Sequence, residues 1–319
     1  MFLSCDIGNT NTVLGVYNNS SGNYDDEEKD IFKTYRILTS EICSERDIFN
    51  ALSRLFFNDG ISLSGIEHIC ISSVVPSQNK FYKSFCSLLN CHAIFISSLS
   101  KTGINLIVEN PEKLGADRIV NASYAYHLSK EFQIIVDIGT ALKIDIVDAV
   151  GNFKGGVIFP GIKTLAACLN EKTALLPLIN INELNRSKQN AILNANGENK
   201  NVNNGFSENN NENYNDNYDG DNETDVDSGN TIQLIGDNTI KAIKSGLLYG
   251  TIFLIEGFIK EIQKQYDKTG CKVIFTGGLS GIIAAQCRMK GLKIIDGLWT
   301  IKGLKFLYDL NAAQTKSQT

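Results

Sequence analysis

The sequence predicts an α/β protein built from two related halves, with a polar insertion in the second. Strand-like and helix-like segments alternate along the chain, one strand-end motif occurs twice, and residues 182–230 are dominated by Asn, Asp, Glu and Gly. In the first half, residues 2–5 read as a strand running into Asp6-Ile7-Gly8-Asn9-Thr10-Asn11-Thr12 and continuing from Val13 to Tyr17. A polar turn with Gly between two apolar β-type segments predicts a hairpin bent around a ligand. Residues 20–30 form an acidic, turn-rich connection, and residues 31–38 return as a strand. Ile48, Leu52 and Phe56 give residues 45–57 a helical period. A strand over 66–75 ends at Pro76, followed by a helix over 81–89 and a strand over 93–96.

The second half restarts the pattern. Residues 111–128 read as one helix, and residues 134–136 as a buried strand entering Asp137-Ile138-Gly139-Thr140. Strands over 144–147 and 153–158 flank the turn Val150-Gly151-Asn152. A long helix over 238–265, a strand over 272–275 and the turn Thr276-Gly277-Gly278 follow. A helix to about 289, a strand over 292–295 and a helix through Leu304 and Leu307 end the fold. The repeated motif is Asp6-Ile7-Gly8-Asn9-Thr10 against Asp137-Ile138-Gly139-Thr140-Ala141, 131 positions apart. Two halves facing each other across a cleft, residues 1–118 and 119–319, is the simplest explanation.

Composition narrows the function classes. The net charge is −5, yet residues 181–230 hold ten acidic residues against three basic ones, so the remainder is near neutral. That excludes a basic nucleic-acid face and an acidic partner-binding body. The insertion at about 182–230 cannot bury enough apolar surface to offset its ordering entropy and is expected to be disordered. Its carboxylates lack the spacing of a calcium loop. The eight cysteines form no CxxC pair and only three His are available, so they read as buried thiols in a reducing compartment. Asp6 comes too early for a signal peptide, and no apolar run approaches the ~20 residues of a membrane span. A cytoplasmic protein without membrane or nucleic-acid partners is expected.

The chemistry concentrates in glycine turns at strand ends. Backbone amides of the Asp6–Thr12 turn, with Asn9, Thr10 and Thr12, can donate hydrogen bonds to a phosphate. Asp6 would repel a polyphosphate unless it holds Mg²⁺ or its water shell. Taken alone this is equally a polar β-turn, but the copy at Asp137 and the turn at Thr276-Gly277-Gly278 favour a nucleotide gripped from two sides. Neither GxxxxGK[ST] nor GxGxxG occurs, which disfavours P-loop and Rossmann sites. Gly115-Ala116-Asp117-Arg118 sits inside a helical pattern and reads either as a surface ion pair or as a site. In the second reading Asp117 accepts a proton from a substrate hydroxyl and Arg118 orients the substrate or stabilises its charge. Gly155-Gly156-Val157-Ile158-Phe159-Pro160-Gly161 is a strand entering a turn whose following helix can face an anion. Gly246 and Gly250, one helical turn apart, suit a close-packing face.

These motifs, with Thr173-Ala174-Leu175-Leu176-Pro177 and Ser245-Gly246, occur in the order seen in type III pantothenate kinases, which the chain resembles along nearly its whole length outside the insertion. The resemblance implies duplicated actin-like ATPase (ribonuclease H-like) domains in a homodimer that phosphorylates pantothenate with Mg-ATP at the start of coenzyme A synthesis. It implies ATP binding through Asp6, Ile7, Gly8, Asn9, Thr10, Asn11, Thr12 and Val13, and through Thr140. Asp117 matches the base on the primary hydroxyl of pantothenate. Gly115, Ala116, Asp117, Arg118 and Thr173 match the substrate-binding set, and Asp137 the position that binds a monovalent cation (K⁺ or NH₄⁺).

Two positions depart from the pattern. Val108 stands where many members carry a substrate-contacting Tyr, and Lys143 where a second Thr is frequent. A Lys there can bind phosphate directly or occupy the cation site as a built-in charge, and the sequence leaves both open. Because of these departures, a nucleotide-binding regulator with weakened catalysis and a kinase of another small hydroxy acid are the alternatives.

Overall fold

The computed structural model describes residues 1–17, 31–181 and 232–312. The expected acidic connection at 20–30 and the Asn-rich insertion at 182–230 lie outside the described residues. The first half forms β1 (Phe2–Ile7), β2 (Asn11–Tyr17), β3 (Ile31–Leu38), α1 (Glu45–Asn58), β4 (His68–Ser73), α2 (Asn79–Leu88) and β5 (His92–Phe95). A short strand β6 (Asn105–Leu106) precedes α3 (Ala116–Leu128). The second half forms β7 (Gln133–Ile138), β8 (Ala141–Val147), β9 (Asn152–Pro160), α4 (Ile162–Lys172), α5 (Thr239–Gln265), β10 (Lys272–Thr276), α6 (Ser280–Ala284), β11 (Lys293–Ile295) and α7 (Trp299–Ala312).

The two sheets have the same plan. Strand order is β3-β2-β1-β4-β5 in one and β9-β8-β7-β10-β11 in the other, where β6 adds to the β9 edge. In each sheet the first three strands are antiparallel and the last two run parallel to the first. Burial repeats with the topology: β1 and β7 share one pattern of buried and half-buried positions, and β2 and β8 share another. The half-buried place in β1 and β7 is Asp6 and Asp137. Two ribonuclease H-like units in one chain are the actin-like ATPase arrangement, as expected.

The helices that close each half, α3 and α7, pack between the sheets. Ile119 and Val120 of α3 join Ile301, Leu304 and Leu307 of α7 against Phe2, Tyr17 and Cys70 of the first sheet. The other side of the pair, with Ala122, Tyr124 and Trp299, packs on Ile135, Val147, Phe153 and Ile274 of the second. Each fully buried Ile, Val, Leu or Phe among them contributes about 1.5–3 kcal/mol. Two polar groups there are paired: Trp299 Nε1 donates to the Asn121 carbonyl at 3.1 Å, and Thr300 Oγ1 to Asn121 Oδ1 at 2.8 Å. The far face of the first sheet is covered by α1 and α2 through Ile48, Leu52, Phe56, Tyr82 and Phe85. Ser44 starts α1, accepting the Asp47 amide, while Asp47 accepts the Cys43 amide.

Three expectations change. The helix expected over 111–128 breaks at Leu114 and Gly115, which are extended (ψ 129° and 137°), so Pro111–Lys113 makes only a 3-10 turn. Gly is a poor helix-interior residue, and this one caps α3 instead. Asp117 therefore lies in the first turn of α3, and the expected division after Arg118 falls inside that turn. Second, α6 stops at Ala284 rather than near 289, because Lys293 Nζ takes the carbonyls of Ala284 and Cys287 and Glu256 takes the Arg288 amide. Third, one helix among the described residues, α5, is long and apolar enough by length and composition to cross a membrane. Of its apolar window 44% is buried in the protein, including Ile252, Ile255 and Ile259.

The chain divides into two compact units. The larger, Met1–Leu165 with Thr251–Thr319, holds both sheets and the α3–α7 pair. The smaller, Ala166–Gly250, holds most of α4 and the first part of α5, where Ser245 and Tyr249 donate to the carbonyls of Leu234 and Ile232.

The α3–α7 contact gives a test of this core. A β-carbon at Gly303 of α7 would stand 2.7 Å from Val120 Cγ1, 3.1 Å from Tyr124 Cβ and 3.2 Å from the Val120 carbonyl oxygen. Gly303→Val is expected to lower stability by about 1–3 kcal/mol, read as a lower urea midpoint at unchanged slope.

Candidate active site

Each half delivers one acidic strand end, and the two strand ends meet. The register of the β1–β2 hairpin sets Asp6 opposite Val13, and that of β7–β8 sets Asp137 opposite Lys143. Cross-strand partners share a face, so Lys143 and Asp137 pair directly, Nζ to Oδ2 at 2.6 Å. Lys143 Nζ also reaches Asp117 Oδ2 at 2.5 Å. Asp117 gets there because Gly115 turns the chain into α3 beside Val74, just after β4. The other Asp117 oxygen accepts the Arg118 amide at 2.8 Å.

Asp6, Asp117, Asp137 and Lys143 thus act electrostatically on one another. Burial pushes the Asp6 carboxyl up to about 7, and Asp117 adds to the rise, while a Ser72 hydrogen bond and the Lys143 charge oppose it. For Lys143 burial pulls the ammonium down, but Asp137 and Asp117 outweigh it and hold it well above the usual lysine range. The three acids that the sequence singled out therefore converge on one place.

The glycine turns converge too. Thr10 and Thr140, one from each hairpin turn, share a hydroxyl–hydroxyl hydrogen bond at 2.9 Å. Asn9 and Thr10 are exposed and open to a ligand. Thr12 is buried, its hydroxyl bonded to Thr39 Oγ1, which in turn donates to the Gly8 carbonyl at 2.8 Å. Through Thr39, Thr12 is tied to the carbonyl of Gly8 and so holds the turn in shape. Thr140 is braced through its carbonyl by the Gly161 amide and the Thr164 hydroxyl at the start of α4. Gly277 adopts φ +90°, and a β-carbon there would lie 2.6 Å from the Ile138 carbonyl and 2.8 Å from Asp137 Oδ1. Only glycine allows the third turn to seat against the end of β7.

Arg118 is committed to Asp145 of β8, with Nε at 3.0 and 3.1 Å from the two carboxyl oxygens and Nη2 at 2.5 Å from one. Its guanidinium also lies over the Phe153 ring, 5.4 Å from the centroid. Asp145 is 4% exposed, and burial pushes its carboxyl up to about 6 although Arg118 pulls the other way. Val108 packs in the cluster around Phe153. Thr173 belongs to the smaller unit, where its hydroxyl donates to the Leu169 carbonyl at 2.7 Å.

Sequence reasoning missed two of these residues. Asp145 was signalled only by a carboxylate inside the apolar run Ile144-Asp145-Ile146-Val147. Arg36, opposite Val13 in β3, has guanidinium nitrogens 3.7 and 3.8 Å from where a Gly278 β-carbon would stand. Nothing in its local sequence marked it.

The family model for type III pantothenate kinase matches residues 2–205. The type III pantothenate kinase of Desulforapulum autotrophicum is 34% identical over 312 residues, covering 97% of each chain. That of Syntrophobacter fumaroxidans is 30% identical over 312 residues, covering 98% of each. Among solved structures, the activator of the 2-hydroxyisocaproyl-CoA dehydratase from Clostridium difficile with bound ADPNP is 13% identical, with a TM-score of 0.49 over 99% of this chain and 97% of that one, a likeness too remote to argue from. With a family match over more than half its length and relatives that align almost end to end, this chain belongs to the type III pantothenate kinase family.

Proposed function

We propose that the protein transfers the terminal phosphoryl group of ATP to the primary hydroxyl of pantothenate, giving 4'-phosphopantothenate and ADP in the first step of coenzyme A synthesis. The observation that carries this is the meeting of Asp6, Asp117 and Asp137 beside two hydroxyl-tipped turns joined at Thr10 and Thr140. In this reading residues 6–13 and Thr140 receive the nucleotide, with the backbone amides of both turns donating to its phosphates. Asp6 would hold the metal that accompanies ATP, or its water shell. Mg²⁺, when bound, neutralises charge on the transferring phosphoryl group.

Asp117 takes the proton from the pantothenate hydroxyl as that oxygen forms its bond to phosphorus and the bond to the ADP oxygen breaks. Gly115, Ala116 and Arg118 line the acceptor side. The Arg118–Asp145 pair holds the first turn of α3 in register with β8, so Arg118 contributes orientation at least as much as charge. Thr173 completes the acceptor set within a homodimer. Exposed Leu175, Leu178, Leu234, Ile235 and Ile240 in the smaller unit support such a partner surface. All eight cysteines are free, with Cys43 and Cys168 exposed and not buried as expected, which suits the reducing cytoplasm. A separate monovalent cation at Asp137 does not fit the residues present, because the carboxylate is already bridged to the Lys143 ammonium. Among the described residues no group of three or more His, Cys, Asp or Glu is arranged to hold a metal ion.

Two outcomes are expected. With Mg-ATP and pantothenate, Asp117→Asn is expected to reduce kcat by roughly 100-fold or more while circular dichroism stays native. Wild-type protein that forms no phosphopantothenate under any cation or pH would sink the assignment.

The second outcome concerns Asp6. Its folded-state carboxyl binds a proton more tightly than an ordinary aspartate, so stability falls as pH rises from about 4 to about 7, where the ionised form is reached. Asp6→Asn removes that penalty. Without nucleotide the variant is expected to melt several degrees above wild type at pH 8 and close to it at pH 4. It is also expected to lose the stabilisation that Mg-ATP gives the wild type, which thermal melts with and without Mg-ATP measure.

A further inference from the structure

The family resemblance calls for a monovalent cation beside Asp137, and the structure puts a covalently tethered one there. We infer that the ammonium group of Lys143 serves as this enzyme's own monovalent cation, bridging Asp137 and Asp117 so that neither K⁺ nor NH₄⁺ is required. The inference deepens the kinase reading and rests on it.

Position comes first. Hairpin register sets Lys143 opposite Asp137, and its side chain spans the further distance to Asp117 at the start of α3. The resulting contacts, 2.6 Å to Asp137 Oδ2 and 2.5 Å to Asp117 Oδ2, are those of charge-assisted hydrogen bonds. All three side chains are enclosed, at 14%, 15% and 12% exposure. Both ion pairs end on carboxylates, which favours the built-in charge over direct phosphate binding.

Charge comes second. An alkylammonium carries the same unit charge as NH₄⁺ or K⁺ and offers three donors. A free cation entering here would have to share two carboxylates with an ammonium of like sign within hydrogen-bonding distance, which a nearly enclosed site opposes. Being tethered, Lys143 loses no translational freedom on binding, so it is present at any ionic composition. Lys143 is accordingly a positioning residue. It fixes one oxygen of Asp117 while the Arg118 amide fixes the other, and it keeps Asp117 and Asp137 from repelling each other apart.

Cation dependence tests this directly. Purified full-length protein is assayed with Mg-ATP and pantothenate in choline buffer, with and without K⁺ or NH₄⁺, and its melting temperature is followed in parallel. Wild type is expected to change in rate by less than about twofold on adding either ion, and to show no cation-specific shift in melting temperature. Lys143→Ala opens a space between two carboxylates, so it is expected to lose roughly 100-fold in kcat and to recover about tenfold or more with NH₄⁺ or methylammonium. The same ions, and not choline, are expected to raise its melting temperature. Lys143→Met, which fills the space without the charge, is expected to be slow and not rescued.

A wild type that needs K⁺ for turnover overturns the inference while leaving the kinase reading intact. A Lys143→Ala protein whose rate and melting both ignore NH₄⁺ and K⁺ overturns it as well. A wild type inactive on pantothenate in every buffer removes the kinase reading, and melting of wild type and Lys143→Ala with each cation then decides whether Lys143 fills a cation site. Should the variants not fold, a wild type indifferent to K⁺ supports the inference and a dependent one overturns it.

Discussion

Three carboxylates are gathered where the two sheets meet, and the Lys143 ammonium is what makes that gathering stable. Two partly enclosed charges of like sign repel strongly when water is excluded between them. Lys143 answers this for Asp117 and Asp137 with contacts of 2.5 and 2.6 Å. It does so from within a sheet, where its backbone is fixed by ladder hydrogen bonds to both neighbours. The remaining geometry follows from that bridge: α3 must begin where its second residue meets β8, so the chain must break at Gly115 and not run helical from Pro111. The Arg118–Asp145 pair adds a second tie between the same helix turn and the same strand. Breaking a buried pair of this kind by removing one partner typically costs about 3–5 kcal/mol, so α3 has little freedom to drift from β8.

Duplication supplies the frame on which this rests. The matched burial of β1 with β7 and β2 with β8 shows that both hairpins fold by the same rule, largely buried on both faces with a half-buried acid near the end of the first strand. The helices that close the halves, α3 and α7, are the common middle layer, and Gly303 lets them approach. A packed middle layer has few ways to deform. The contact between Thr10 and Thr140 at the turn tips is therefore a consequence of the core below them, since no covalent link or local loop joins the two turns.

Much of this was legible in the sequence, and what was not has a common cause. The strand alternation, the paired Asp-Ile-Gly turns and the acids at 6, 117 and 137 are local patterns, and local patterns survive in one dimension. Residues 31–38 are a strand as expected, and Ile48, Leu52 and Phe56 form the buried face of α1. The partners of those acids are another matter. Lys143 and Asp117 are 26 residues apart and sit on different elements, so only the assembled sheet and helix bring them together. Asp145 is hidden differently: a carboxylate in an apolar strand reads as a solvent-facing alternate until Arg118 is seen to reach it. The continuous helix expected over 111–128 failed because periodicity ignores backbone strain, and tertiary contacts decided where the helix begins.

The two halves differ at the cross-strand position that faces the acid, and that difference separates their tasks. Opposite Asp6 the hairpin offers Val13, and opposite Asp137 it offers Lys143. Valine gives Asp6 no counter-charge, so its ionised form is disfavoured until something positive arrives, which suits a carboxylate that is to meet a metal–nucleotide complex. Lysine gives Asp137 a permanent counter-charge, so it is satisfied before any ligand enters. One hairpin is left electrostatically incomplete and the other is closed. In the proposed reaction a nucleotide's own cation would complete the first hairpin, while the second keeps the proposed base aligned. The asymmetry needs only one side chain because the register that displays it was already built twice.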